Sequence, residues 1–355
     1  MGDELTKQLE SLKGILSVSA DMPSTLPQEP VRGDLPVQLP FWPEPVRGGP
    51  NAVLRSSLFA GIHSKKRETI GNQTKPEKPL QAVTLASQDG ITVKFAGRQL
   101  NQYDADVFFE ALHRARHHPL ETECLFTGYG FLKGIRRAPN DLGYEDLDDS
   151  LTRLRDGRVE VHWKMHGRGF KFVGSLVSSY VRDETTKLFK VTFAKEIKAL
   201  FAPACWTQIE WEERMALRGH PLAQWLHSYY STHADPFPVG SAFLCEKSGS
   251  KRPLMKNFRT DLKQALATLH RVLGWECELD KKSDNVTVVR TPSGAQARHL
   301  ARAKAKKDSQ AETQRVLEKQ RRAAEAQERL KRGKGKLEHA SEIIPSLFAN
   351  KTFRT

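Results

Sequence analysis

The chain has 355 residues, 38% of them hydrophobic and 28% charged, with a formal net charge of +14. That length accommodates two domains with tails, and no apolar run reaches the roughly 20 residues a bilayer-spanning helix requires. The start, MGDELTKQLE, is acidic rather than signal-like, and Cys124, Cys205, Cys245 and Cys277 lie far apart with no CxxC pair, which excludes a cysteine-built zinc cluster and points to a reducing cytoplasm.

The excess charge is concentrated. Between Arg298 and Lys336, 14 Lys and Arg face 5 Asp and Glu, leaving a balance of only +5 elsewhere. A solvated basic tail accounts for such a distribution as readily as a binding surface does, so the folded part must make its own case.

In chain order, residues 1–82 read as a flexible, proline-rich segment. Leu5, Leu9, Leu12, Ile15 and Leu16 form a short amphipathic patch, open between a partner-binding helix and a frayed end. Eight prolines between Pro23 and Pro50 then argue against regular structure and for a linker.

A first folded unit is expected over 83–204. Ile91–Ala96 alternates as a strand, and Gln102–Arg116 carries Val107, Phe108, Ala111, Leu112 and Ala115 on one helical face. A short helix over Gly130–Arg137, a turn at Ala138–Asn140 and a helix over Tyr144–Asp156 follow. Strands are expected over Val159–Trp163, Phe170–Tyr180 and Leu188–Phe193.

A similar order recurs over 205–294. Pro221–His233 is a helix with proline in its first turn, Ser241–Lys247 a short helix, and Ser250–Gly274 a long one. Trp275–Leu279 and Asn285–Arg290 form a hairpin. Helix, short helix, turn, helix and hairpin, twice over, predicts an α+β fold of tandem winged-helix units, a variant of helix-turn-helix. The tail, 295–355, is rich in Ala, Lys, Arg, Glu and Gln and reads as helical without a docking stripe; a linker and an arm against phosphate both remain open.

The long helix of the second unit carries the chemistry. At about 100° per residue, Phe258, Leu262, Ala265, Leu266 and Leu269 share one face, and Lys256, Arg259, Thr260 and Lys263 another, with Arg252 close by. Ser250 is placed to cap its start and Pro253 to occupy its first turn. An apolar anchor with cations and the polar readers Asn257 and Thr260 in the amino-terminal half suits a recognition helix: Arg pairs with guanine, Asn with adenine, and Lys meets phosphate. Lys281 and Lys282 at the hairpin tip would reach the neighbouring backbone or minor groove. The ordinary alternative is a solvated charged face. The absence of acids there until Asp261, the preceding turn and the basic hairpin tip weigh against it.

In the first unit the matching helix begins with Glu145, Asp146, Asp148 and Asp149, which favour the helix dipole but repel phosphate. Lys133, Arg136, Arg137, Arg168 and Lys171 lie nearby and are candidates to hold a DNA backbone. The first unit is expected to position or dimerise, the second to specify.

No catalytic set emerges. Tyr229 and Tyr230 lie between His227 and His233, but no His-x-His pair provides a nicking metal, and Tyr229 falls on the core side of its helix. His113 and His117 are four apart on a helix, a metal edge without a third ligand; exposed histidines are the expectation. TGYGFLKG at Thr127–Gly134 has glycines but neither P-loop spacing nor a Lys-Ser/Thr ending. The chain is expected to be no enzyme and to need no cofactor or metal.

Three long blocks carry a resemblance: WPEPVRGGPNAVLRSSLF (Trp42–Phe59), FAKEIKALFAP (Phe193–Pro203) and IEWEERMALRGHPLAQWLHSYYSTHADPFP (Ile209–Pro238). Together they resemble the TrfA family of plasmid replication initiators, over about residues 40–290. The resemblance implies binding of double-stranded DNA at repeated sites (iterons) in a plasmid origin and opening of an adjacent A·T-rich region, with single-stranded origin DNA as a further partner. It also implies recruitment of the host initiator ATPase and replicative helicase, and a monomer–dimer exchange limiting copy number in the bacterial cytoplasm. The family's sliding-clamp motif, Gln-Leu-x-Leu-Phe, corresponds here to Gln38, Leu39, Pro40, Phe41 and Trp42, one residue short. A winged-helix transcriptional repressor on a palindromic operator is the rival reading, and a structural adaptor a third.

Overall fold

The computed structural model describes residues 37–72, 80–88, 90–165 and 167–348; the amphipathic patch of Leu5–Leu16 lies outside them. The fold is α+β, with two hydrophobic cores in series.

Ordered structure starts well before residue 83. Strand β1 (Val46–Pro50) leads into a single turn, α1 (Asn51–Leu54), and then β2 (Phe59–Ala60), with Leu39, Trp42, Val46, Leu54 and Phe59 all in the first core. The prolines bracket this strand rather than abolish it. Its two glycines are required by packing: a Cβ on Gly48 would sit 2.7–2.9 Å from the Trp42 ring, and one on Gly49 2.8 Å from Ile209.

Five strands build the main sheet of the first unit: β3 (Thr69–Ile70), β4 (Val83–Leu85), β5 (Ile91–Arg98) and, later in the chain, the hairpin β8 (Arg158–Met165) and β9 (Arg168–Gly174). Alternation sends Val93, Phe95, Val159 and Val161 inward. The two-residue β6 (Leu100–Asn101) pairs in parallel with β2 and leads into helix α2 (Gln102–Ala115). A capping box starts that helix: the Asn101 side chain accepts from the Tyr103 and Asp104 amides, and the Asp104 carboxylate accepts from the Asn101 amide.

Strand β7 (Cys124–Thr127) then runs into helix α3 (Gly128–Gly134), which is followed by α4 (Asp141–Asp156). Helix α4 starts three residues earlier than Tyr144 because Asn140 caps it, accepting from the Gly143 amide at 2.9 Å. The expected strand over Phe170–Tyr180 is two strands, β9 and β10 (Ser179–Arg182). Leu176 and Val177 are buried between them, both donating their amides to the Leu154 carbonyl, so the chain changes sheet there. β10 pairs with β11 (Leu188–Thr192), and β11 with β7.

The first core also runs past residue 204. Strand β12 (Trp206–Glu210) pairs antiparallel with β1, Val46 opposite Glu210, and helix α5 (Trp211–Ala216) adds Trp211 and Met215; the second core begins at Leu217.

The second unit contains α6 (Pro221–Ser231), β13 (Val239–Gly240), α7 (Ser241–Lys247), α8 (Met255–Leu273), β14 (Glu276–Leu279) and β15 (Asn285–Val289), with sheet order β13-β15-β14. Phe258, Leu262, Ala265, Leu266 and Leu269 of α8 are buried, as the apolar spacing requires. Gly274 ends that helix in the left-handed conformation at φ 69°. Its start differs from expectation. Leu254 is the N-cap, without a side-chain bond, and Ser250 instead accepts from the Arg252 amide at 3.4 Å, so Ser250 and Pro253 both precede the helix. Helix α9 (Gly294–Phe348) follows, its described side chains exposed apart from a few at its start.

One buried side chain joins the two units. Arg214 of α5 is fully buried and donates from Nε to Asp106 of α2 at 2.7 Å, from one Nη to Ser228 Oγ at 2.6 Å, and from the other to Gln102 Oε1 at 3.0 Å. Trp225 Nε1 to the Ser56 carbonyl (3.1 Å) and Arg55 to Thr232 (2.8 Å) add to the seam.

Candidate nucleic-acid interface

With its apolar stripe in the core, α8 turns Lys256, Asn257, Thr260, Lys263 and Gln264 to solvent. Among the described residues no carboxylate pairs with Lys256 or Lys263, nor with Lys281 and Lys282 at the exposed hairpin tip. Asp280 shapes that tip by accepting from the Lys282 and Ser283 amides, each at 3.0 Å.

The two arginines behave differently. Arg252 is clamped side-on by Asp261, Nε to Oδ2 at 2.5 Å and Nη2 to Oδ1 at 2.9 Å. Arg259 is clamped the same way by Asp284, at 2.8 Å for both bonds. Arg259 and Ser241 together hold the Asp284 carboxyl below its ordinary range. These cations are therefore paired with carboxylates in the free chain, whereas among the described residues Lys256 and Lys263 are not. Arg252 and Asp261 also line a cleft of about 570 Å³ between the units, with Gly61, His63, Glu68 and Pro221.

In the first unit the candidate cations are dispersed and mostly engaged. Arg136 pairs with Glu212, Lys171 lies 3.8 Å from Glu160, and the Arg137 guanidinium stacks 4.7 Å from the Tyr103 ring centre. Lys133 is exposed and 5.7 Å from the Tyr129 ring; Arg168 is exposed at the start of β9. The acids of α4 are partly matched, Asp148 to Arg182 at 3.8 Å and Asp149 to Arg153 at 3.7 Å.

The segment corresponding to the clamp motif is built into the fold. Leu39 is buried in the first core and the Val37 carbonyl accepts from the Leu120 amide at 2.7 Å, while Gln38 is exposed and Phe41 is 71% exposed beside His117. Leu39 cannot enter a partner's groove without leaving that core.

Of the histidines and tyrosines weighed for catalysis or metal binding, His113, His227, Tyr229 and Tyr230 are buried and His117 is exposed. His113 is buried, not exposed: its Nδ1 accepts from Trp42 Nε1 at 3.0 Å and its Nε2 meets Glu44 at 2.9 Å, while burial lowers its pKa to about 4. His227 is buried against Trp275 and bonded to Glu213. Tyr229 and Tyr230 are both buried, and burial raises the Tyr229 hydroxyl to about 12, unsuited to nucleophilic attack. Thr127 of the glycine-bearing stretch caps α3, accepting from the Gly130 amide at 3.2 Å. No group of three or more His, Cys, Asp or Glu among the described residues is placed to hold a metal, and no described helix is long and apolar enough to cross a membrane.

Sequence reasoning noted Asp261 but saw neither its pairing with Arg252 nor that of Asp284 with Arg259. Asp284 is 25 residues from Arg259 and meets it only through tertiary structure. Gln264, four residues beyond Thr260, was within reach of the helical wheel.

Fold and surface thus define an α+β protein of two helix–hairpin units, the second presenting unpaired lysines from one helix and one hairpin tip. A sequence model described as TrfA protein matches residues 35–276. The chain belongs to the TrfA family. It is 25% identical over 240 residues to the plasmid replication initiator protein TrfA of Escherichia coli, covering 64% of this chain and 58% of that protein, so it spans less than two thirds of that relative. A crystal structure of domains 2 and 3 of RctB aligns over 62% of this chain and 95% of that one, at 12% identity and a TM-score of 0.43. The MSBI1.176 WH1 domain, from a replication protein, aligns over 28% and 78%, at 11% identity and a TM-score of 0.22.

Proposed function

We propose that this chain is a plasmid replication initiator that binds repeated duplex sites in a plasmid origin. Each unit is a winged-helix domain: α2, α3, α4 and the β8–β9 hairpin in the first, α6, α7, α8 and the β14–β15 hairpin in the second. The observation that carries the reading is the solvent face of α8, where Lys256 and Lys263 flank Asn257 and Thr260 without a carboxylate partner. Lysines there meet phosphate, and the polar pair reaches base edges in a major groove. Family membership supplies the plasmid setting. Opening of A·T-rich DNA and recruitment of host replication proteins follow as non-enzymatic steps, with the bound chain as scaffold. The test is a footprint on the plasmid's own origin. Periodic protection of direct repeats supports the reading. Protection of a lone palindrome favours a repressor, and no protection removes both.

A further inference from the structure

We propose that Asp284 is a positioning residue for base recognition: it holds the Arg259 guanidinium with its free edge toward a guanine. The proposal rests on the duplex-binding reading of α8 given above.

Asp284 closes the hairpin turn directly before β15, in the left-handed backbone region, φ 57°, where an aspartate is among the residues best tolerated. Three elements fix it. Its amide donates to the Asp280 carbonyl at 3.0 Å, and its own carbonyl accepts from the Ser241 amide at 2.9 Å. Its carboxylate accepts from Ser241 Oγ at 2.5 Å and from Arg259 Nε and Nη2 at 2.8 Å each. The hairpin and the start of α7 thus aim one carboxylate at α8.

What matters is the edge it takes. A guanidinium has five N–H donors, one on Nε and two on each Nη. Side-on pairing occupies Nε and one donor of Nη2. The distal edge, one donor from Nη1 and one from Nη2, stays free, and the Arg259 side chain is 42% exposed. That edge matches the O6 and N7 acceptors of guanine in a major groove. Lys256, three residues earlier, and Lys263, four later, share its side of the helix, so phosphate contacts from them would bring the fork to a base.

Two consequences favour reading over mere attraction. A guanidinium already held in place loses less rotamer freedom on binding. The carboxylate also offsets the charge of Arg259, so this arginine adds little to general phosphate affinity and its contribution falls on the choice of base. Arg252 with Asp261 has the same side-on geometry but lines the cleft between the units, on the other flank of α8.

The experiment is selection from a randomised duplex library with the full chain, followed by anisotropy titrations on the selected and a random duplex. We expect wild type to prefer guanine at one repeat position. Arg259→Lys, which keeps the charge but not the fork, should lose that preference by about five- to 150-fold while holding the random duplex. Asp284→Asn tolerates the same backbone and still accepts from Ser241; it should weaken the same position alone. Should Asp284→Asn fold poorly, Ser241→Ala loosens the carboxylate from the α7 side and should act at that position in the same direction. Equal tightening of Asp284→Asn on every sequence, with the guanine preference intact, would show a carboxylate that only competes with phosphate and overturns the proposal. So would a preference untouched by Arg259→Lys. If wild type prefers no base anywhere, the duplex-reading assignment of α8 falls with it; if wild type selects a site but Asp284→Asn and Ser241→Ala leave it unchanged, only the role of Asp284 falls.

Discussion

Replacing Arg214 by alanine tests whether the two cores form one cooperative structure. The guanidinium is fully buried, all three of its nitrogens donate, and it lies 5.3 Å from the Phe109 ring centre. Its removal leaves the Asp106 carboxylate buried with only Gln224 Nε2, at 3.4 Å, as a side-chain donor. Breaking a buried ion pair from one side costs about 3–5 kcal/mol, most of it the stranded charge. For a folded region of this size that corresponds to a fall in Tm of about 6–20 °C. Urea and thermal unfolding followed by tryptophan fluorescence read it directly, since Trp211 and Trp225 flank the seam. A loss below about 1 kcal/mol would refute the argument. So would two resolved transitions in the wild type, which would mean that the seam does not couple the cores.

Lys256→Ala and Lys263→Ala should each weaken duplex binding on all sequences and reduce the slope of log K against log salt by about 1, checked by titration at several salt concentrations. Gly48→Ala drives a methyl group into the Trp42 ring, which is fully buried and stacked on Phe201 at 5.8 Å; overpacking of this kind costs about 1–3 kcal/mol, read as a lower urea midpoint. Acid should destabilise the fold in two stages. Burial lowers His113 and His233 to about 4, and lowers His227 as well. The unfolded chain therefore takes up protons first, and stability complete above about pH 6.5 is lost progressively toward pH 4. Glu44, which His113 and Arg116 lower to about 2, adds a further loss only as pH falls from about 4.5 toward 2. Urea midpoints that stay level between pH 7 and 5 would contradict the first stage.

The elements of the second unit were legible in the sequence because each is signalled locally. Pro221 opens α6, Gly274 closes α8, and the spacing of Phe258, Leu262 and Leu266 sets the buried face. What escaped was decided by distant partners. β1 is a strand because β12, some 160 residues later, pairs with it, and no periodicity in VRGGP announces this. His113 sits at helical spacing from His117, and only Trp42 and Glu44 folding over it show that it belongs to the interior. The solvent face of α8 was readable from the wheel, and the exposed lysines lie where the wheel put them. Which of its arginines carry carboxylates was not, since Asp284 reaches Arg259 through the hairpin.

The seam at Arg214 bears on how a duplex can meet both units. α4 precedes the β8–β9 hairpin as α8 precedes β14–β15, but α4 exposes Asp141, Glu145 and Asp146 where α8 exposes Lys256 and Lys263. Two like charges 4 Å apart repel by about 1 kcal/mol in water and about 4 kcal/mol at an effective dielectric of 20. Seating α4 in a groove as α8 would be seated sets several acids against phosphate at once. A mobile linker would let the first unit turn away, but the buried Arg214–Asp106 bridge and the Trp225–Ser56 bond prevent that. Under the proposed function the duplex must then pass the first unit along another surface. The β8–β9 hairpin offers one, with Lys164 and Arg168 exposed beside its turn and no acid among the described residues between them. On that reading the second unit would read and the first hold, a division set by charge.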